Sequence, residues 1–452
     1  MQSSCSNDNH YEYLCDGRDA TPVIQAAIDA ARDAGGGVVQ LPRGTIEVTG
    51  LTIYSRVTLR GCGESISTIR LRDGSDRNVI ETENFSENVA ENKLWYIEDG
   101  MLHGFGFHDF RVDGNKENNS KGYGIAIYGK RYELDNVLIS NCQEGGFYSQ
   151  GPDIGGQKEV DDILEALIGT IRVHKCGGNG VTYRGPHDGY IASIVVGECE
   201  EGYGLISDTK SGHYNGGCDI GRVHAYACKR GVRINTAGTG ITRIVADTNY
   251  MQGVVIDAHR VQIGQIWAFR NWRTDLPEKK FRNRDGREDA SIELNQACNV
   301  GTVTVRTDFG GTGIKIRGSR SQIGSYQVEN SNPRGGVMIG IGVDVRASLV
   351  RVSGDVRGFS VPGSIGVRVS PDKPLPMTTI NCSVVDCATG FLNVHGGESQ
   401  VWNLQIHTTE GQCGFEHNGA TKRSAITIIS GGTDCRTLFV QPVVGEGKGA
   451  VS

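Results

Sequence analysis

Three stretches decide how this chain folds: Gly231-Val-Arg-Ile-Asn235, Gly253-Val-Val-Ile-Asp257 and Ser291-Ile-Glu-Leu-Asn295. Each sets a small residue before an alternation that puts apolar side chains at its first and third places, the period-two signature of a strand with one buried face. Working outward, the same unit recurs on both sides. Before these stretches it reads Gly124-Ile-Ala-Ile-Tyr128, Gly146-Phe-Tyr-Ser-Gln150, Gly180-Val-Thr-Tyr-Arg184 and Gly204-Leu-Ile-Ser-Asp208. After them it reads Gly313-Ile-Lys-Ile-Arg317, Gly342-Val-Asp-Val-Arg346, Gly366-Val-Arg-Val-Ser370, Gly390-Phe-Leu-Asn-Val394 and Gly414-Phe-Glu-His-Asn418. Successive units are 22, 34, 24, 27, 22, 38, 22, 29, 24, 24 and 24 residues apart. A basic period of 22 to 24 residues is that of one coil of a parallel β-solenoid, in which no unit buries its apolar side chains without a neighbour stacked on it. The first and third places after the glycine, such as Val181 and Tyr183, Val232 and Ile234, Val254 and Ile256, are predicted to face the interior. The second and fourth are predicted to face water.

Ahead of the solenoid one helix is predicted. Thr21 reads as its N-cap and Pro22 as its first residue, Val23, Ile24, Ala27, Ile28 and Ala31 form one apolar stripe, and Gly35-Gly36-Gly37 ends it. The chain is thus divided into a lead-in over residues 1–20, a capping helix over 21–37 that covers the open first edge, a solenoid over 38–430 and a C-terminal tail or end cap over 431–452. The two long intervals hold insertions near residues 155–166 and 271–289, which solenoids place as loops on one face. From Glu278 to Asp289 the second insertion mixes five basic with four acidic side chains, a solvated loop rather than a phosphate-binding run.

Composition narrows the function. Lys+Arg 46 against Asp+Glu 52 leaves a net charge of −6, no footprint for nucleic acid or an anionic membrane. No run of about 18 apolar residues exists for a membrane span, and the first ten residues lack the pattern of an export signal. Glycine, at 65 of 452 residues, is about twice the usual share while proline, at 11, is scarce, which speaks for turns inside an ordered fold. The 13 cysteines show no paired zinc spacing and read as small buried apolar side chains.

The residues Asp16-Gly17-Arg18-Asp19-Ala20-Thr21, Ile24-Gln25-Ala26-Ala27-Ile28, Gly35-Gly36-Gly37-Val38-Val39, Leu41-Pro42-Arg43-Gly44 and Val57-Thr58-Leu59-Arg60-Gly61 resemble the N-terminal cap and first coils of the pectate-lyase-like superfamily, as in bacteriophage tailspike depolymerases. Val112-Asp113-Gly114-Asn115 is similar to a later coil of the same proteins. The resemblance implies an all-β, right-handed parallel β-helix that acts on an extended polysaccharide. In the phage members it also implies a homotrimer, located on a virion tail or outside the cell. It carries no single mechanism, since the superfamily holds hydrolases, lyases, epimerases and inactive binders.

Chemistry is expected on the outward columns, because strands of successive coils lie about 4.8 Å apart and equivalent residues form ladders. The fourth-place ladder runs Tyr128, Gln150, Arg184, Asp208, Asn235, Asp257, Asn295, Arg317, Arg346, Ser370. Asp208 and Asp257, two coils apart, are the expected catalytic carboxylates, at about the separation that lets an inverting glycosidase seat a water. Glu293 is the alternative partner, and Arg233 and Asn235 are expected to bind sugar hydroxyls or a substrate carboxylate. On this preferred reading the protein hydrolyses glycosidic bonds of a capsular, exo- or lipopolysaccharide without a cofactor. A second reading is β-elimination on a uronate polymer. Calcium would then be held by Asp208, Asn235 and Asp257, with Arg184, Arg233 or Lys210 neutralising the acid or abstracting the C5 proton, whereas a metal-free lyase would use His213 or Tyr214. A third is a non-catalytic glycan-binding fibre. Trp272, with Trp267 and Phe269, is expected to stack on sugar, although Trp267 fits an inward place equally well. Gly185-Pro186-His187-Asp188 resembles the DPHE motif of alginate epimerases but has Gly185 where the first acid stands, and it also reads as a plain turn with His187 hydrogen-bonded to Asp188.

Overall fold

A computed structural model describes residues 15–91, 102–151, 164–208, 217–271, 290–307, 311–331, 339–370, 375–394, 397–398, 401–407, 413–417, 421–422 and 425–431. The expected cap helix spans Thr21–Asp33 with Pro22 in its first turn, and buries Ile24 and Ile28. Its N-cap is Ala20 rather than Thr21. The carboxylate of Asp19 accepts the Thr21 amide at 3.0 Å, while the Thr21 hydroxyl accepts the amide of Thr49, so Thr21 ties the helix to the coil beneath it instead of capping it. The helix stops where Gly35 and Gly36 take left-handed φ values of 85° and 131°. A side chain on Gly36 would meet the backbone of Arg56.

Beyond the helix the described chain is a parallel β-helix whose strands lie mainly in two sheets, with a short third sheet of Leu375–Pro376, Gly397–Glu398 and Thr421–Lys422. It falls into two compact units, up to Lys229 and from Arg230. In the first, Tyr123–Tyr128, Gly145–Gln150, Asn179–Arg184 and Tyr203–Ser207 pair in parallel within one sheet. Glu133–Ser140, Leu167–His174, Tyr190–Gly197 and Asp219–Tyr226 pair within the other. Phe147, Val181 and Leu205 are in register, as are Ile171, Ile194 and Val223, and all are buried. In the second unit the column Val232, Val254, Ile292, Ile314, Val343, Val367 stacks beside Ile234, Ile256, Leu294, Ile316, Val345, Val369. These are the predicted interior places, and every one is buried.

Two expectations change. The repeat glycine lies within the strand and not in a turn: a Cβ on Gly146 would run into Val173 and approach the carbonyl of Gly180. Close packing of one sheet against the other therefore selects glycine there. Several second-place residues do not face water either. Thr182, Val255, Glu293, Lys315 and Asp344 are all buried. For the two carboxylates the reason is visible, since Arg317 lies on Glu293 and both Arg346 and Arg368 lie on Asp344. The described cysteines are free and mostly buried, as expected.

Candidate functional site

In the first unit the outward ends of three adjacent rungs converge. Gln150, Arg184 and Asp208 follow the rungs in register, Gln150 pairing with Arg184 and Tyr183 with Ser207. Arg184 holds the group together. Its guanidinium donates to the hydroxyl of Tyr148 at 3.1 Å and to the carboxylate of Asp208 at 3.3 Å, and it lies 5.6 Å from the centre of the Tyr148 ring. Tyr148 in turn donates to Gln150 at 2.7 Å and is packed by Phe85 and Tyr123. Burial raises the Tyr148 phenol above its ordinary pKa, against the lowering pull of Arg184. It stays protonated, with its hydroxyl engaged at both lone pair and proton. Tyr148 is therefore a positioning residue rather than a base.

The chain leaves Arg184 through a turn fastened on all sides. Gly185 and Pro186 are joined by a cis peptide bond. Ser149 donates to the carbonyl of Gly185 at 2.6 Å, Tyr183 to that of Pro186 at 2.5 Å, and the amide of Asp188 to Gly217 at 2.7 Å. His187 is mostly buried within this turn. Its Nδ1 lies 2.9 Å from the Asp188 carboxylate, a contact that suits a proton on Nδ1. Its Nε2 is buried and has no hydrogen-bond partner among the described residues. The plain-turn contact between His187 and Asp188 is thus present.

The second unit holds the rest of the expected acidic column. Asp257 accepts from Arg233 at 2.7 Å and from Asn295 at 2.8 Å. Glu293 accepts the amide of Ala290 at 3.2 Å and pairs with Arg317 at 3.4 Å. Asp344 accepts from Arg346 at 2.7 Å, Arg368 at 2.9 Å and Ser370 at 2.6 Å. Burial would raise the Asp344 pKa, but Arg368, Ser370 and Arg346 together bring it below the ordinary carboxylate range. Glu293, expected as an exposed alternative acid, is buried in this network.

Of the expected site residues, Arg184 and Asp208 are brought into contact in the first unit, and Arg233 and Asp257 in the second. Asn235 ends the rung of Arg233. Asp208 belongs to one unit and Asp257 to the other, and each keeps its own arginine. Lys210, His213, Tyr214 and Trp272 lie outside the described residues. Among the described residues no three His, Cys, Asp or Glu side chains gather as metal ligands. Sequence reading missed Tyr148 and the buried Nε2 of His187 that has no partner among the described residues. An aromatic at an outward place beside Arg184 was the available sign of the first, whereas the second depends on how the turn is fastened.

No protein-family model matches the chain. Over 195 positions it is 38% identical to mannuronan C5-epimerase AlgE5 of Azotobacter vinelandii, covering 38% of this chain and 18% of that protein. Over 111 positions it is 36% identical to alginate lyase 7 of the same organism, covering 22% and 11%. The matches span less than a fifth of these curated relatives. In structure, the A-module of mannuronan C-5 epimerase AlgE4 from that organism aligns over 93% of this chain and 98% of its own, with a TM-score of 0.52 and 16% identity. The fold is that of the epimerase A-module. On this A-module fold, Arg184, Asp208 and the His187 turn all leave the same end of one sheet's strands.

Proposed function

We propose that this protein acts on a polysaccharide containing uronate residues and begins by removing the proton at C5. That carbon is adjacent to the carboxylate, so its proton becomes acidic when the carboxylate charge is neutralised. Arg184 is the neutralising group, held by Tyr148 and Asp208. His187 is the base: its Nε2, buried in the described structure, takes the C5 proton once substrate binding uncovers it, while Asp188 stabilises the imidazolium through Nδ1. The electrons left at C5 have two outlets. A proton returned to the opposite face inverts C5, and expulsion of the oxygen at C4 cleaves the chain and leaves an unsaturated sugar. The relatives' names, an epimerase of mannuronan and a lyase of alginate, cover both outcomes, and both share the first step.

The observation that carries this reading is the His187 imidazole, with Nδ1 on Asp188 and Nε2 without a partner among the described residues, three residues beyond an arginine fixed by two neighbours. The paired-carboxylate alternative needs two acids at liberty to exchange protons, and Asp208 and Asp257 are each ion-paired. The test is incubation with polymannuronate and other uronate polymers in deuterated water. Deuterium at C5, ultraviolet absorbance from unsaturated ends, or both, is the expected result. New reducing ends with neither signal would replace this reading by hydrolysis, and no change in any polymer would replace it by a non-catalytic fibre.

A further inference from the structure

We infer that the second unit carries a separate groove for an acidic polysaccharide strand, on the outer face of the sheet that contains Val261–Phe269, Cys298–Thr307, Gln322–Asn330, Arg351–Arg357 and Thr379–Val385. The inference rests on the proposed uronate specificity for its ligand class, though not on the His187 chemistry. Trp267 points outward on this sheet, 37% exposed, which settles its orientation against the interior place that the sequence equally allowed. It stacks on Phe269, with ring centres 5.7 Å apart and planes 24° from parallel. Together they form a platform at the edge of a concavity of about 470 Å³.

Two columns run from that platform along the stacking direction. From Trp267 the register continues through Thr304, Gln327, Asp355 and Ser383. From Phe269 it continues through Arg306, Glu329 and Arg357. The first column offers a hydroxyl, an amide, a carboxylate and a hydroxyl on consecutive rungs about 4.8 Å apart. A pyranose ring in an extended chain is about as long as one rung is high, so a linear sugar polymer can present a hydroxyl to each rung in turn. The aromatic platform suits the C–H face of a sugar ring. The Arg306 guanidinium, 5.2 Å from the centre of the Phe269 ring, stands where a uronate carboxylate beside the stacked sugar would meet it. A protein partner would ask for a broader apolar patch, whereas only the two rings here are aromatic and the rest of the two columns hydrogen-bonds or carries charge.

The experiment is affinity electrophoresis of the full chain through gels containing alginate, pectate or hyaluronate, with dextran as neutral control. The wild type is expected to be retarded by at least one acidic polymer. Trp267→Ala is expected to weaken that retention about 10-fold, and Arg306→Gln to reduce the preference for acidic over neutral polymer. C5 exchange on a short oligosaccharide should be unchanged in Trp267→Ala, and both side chains are surface-facing, so circular dichroism should match the wild type. A wild type that is not retarded, or a Trp267→Ala variant retained as strongly, overturns the groove. A change of molar mass in Trp267→Ala by light scattering also overturns it, by making the face a contact between copies. Retention that depends on Trp267 without any C5 exchange would sustain the groove and remove only the proposed activity.

Discussion

The two units bear the same ladder of outward charges and treat it differently. In the second, Asp344 is enclosed by Arg346, Arg368 and Ser370, Glu293 by Arg317 and a backbone amide, and Asp257 by Arg233 and Asn295. Its carboxylates are matched by partners on their own or the next rung, as buried charge requires. In the first, one arginine bridges an aromatic hydroxyl and a carboxylate, and the turn that follows leaves a basic nitrogen unengaged. A matched ladder stabilises the fold, whereas an unengaged base next to a held cation is equipped for chemistry. On the proposed reading, the acidic density along the solenoid that drew attention to Asp208, Asp257 and Glu293 serves the fold, and the chemistry is sought at the corner beside Arg184.

The comparison breaks most sharply at His187. His187→Ala should lower C5 exchange by about 10²- to 10⁴-fold, the usual weight of a general base, with thermal unfolding near that of the wild type. A variant that keeps full activity would leave the first unit's corner as structure alone. The next largest effect is expected where the ladder is most enclosed. Asp344→Ala strands two arginines and should cost about 3–5 kcal/mol in denaturant unfolding. The same residue has a pH signature. Its carboxyl ionises below the ordinary range in the folded state, so its stabilisation is complete above the unfolded value near 4 and is lost as pH falls through the folded value. An Asp344→Ala variant as stable as the wild type at neutral pH would mean that these partners do not matter to the fold.

The fold was open to reading because its cause is repetitive: the glycine followed by apolar residues at Val232 and Ile234 recurs at Val254 and Ile256, and stacking turns that recurrence into a core. The register of the ladders followed from the same arithmetic, which is why Arg184 and Asp208 stand on successive rungs as the ladder placed them. Burial of the second-place residues was hidden, because it depends on arginines from neighbouring rungs folding over Glu293 and Asp344, and a period-two pattern carries no information about side-chain reach. His187 was ambiguous for a related reason. The sequence shows a histidine beside an acid, but only the turn through Ser149, Tyr183 and Gly217 shows which nitrogen is left over.

Lys315 tests the matched ladder from its weakest rung. It sits in register between Glu293 and Asp344, fully buried, and its amine has no hydrogen-bond partner among the described residues. Burial lowers its pKa, helped by Arg317 and Arg346 and opposed by Glu293 and Asp344. The folded state thus binds the proton less well than the unfolded chain, and stability should rise with pH up to the ordinary lysine value near 10. Lys315→Met should remove that slope and raise stability at neutral pH by about 1 kcal/mol. A clear loss of stability would show the amine to be matched after all.

The smallest effect separates the two units most directly. Asp257→Asn keeps the shape of the side chain and the acceptor toward Arg233 while removing its charge. The pair is partly exposed, so its loss should change stability by no more than about 1 kcal/mol. If C5 chemistry is led by His187, activity on an oligosaccharide should stay within about 2-fold of the wild type, since Asp257 touches Arg233 and Asn295 rather than the reacting group. Two paired carboxylates would demand the opposite, because an amide can neither give nor take the proton in glycosidic cleavage. Measuring Asp257→Asn beside Asp208→Asn therefore distinguishes them. Loss in both would restore the long acidic column as the reactive feature, while loss in Asp208→Asn alone, where Arg184 would lose the charge paired with it, assigns the chemistry to the first unit.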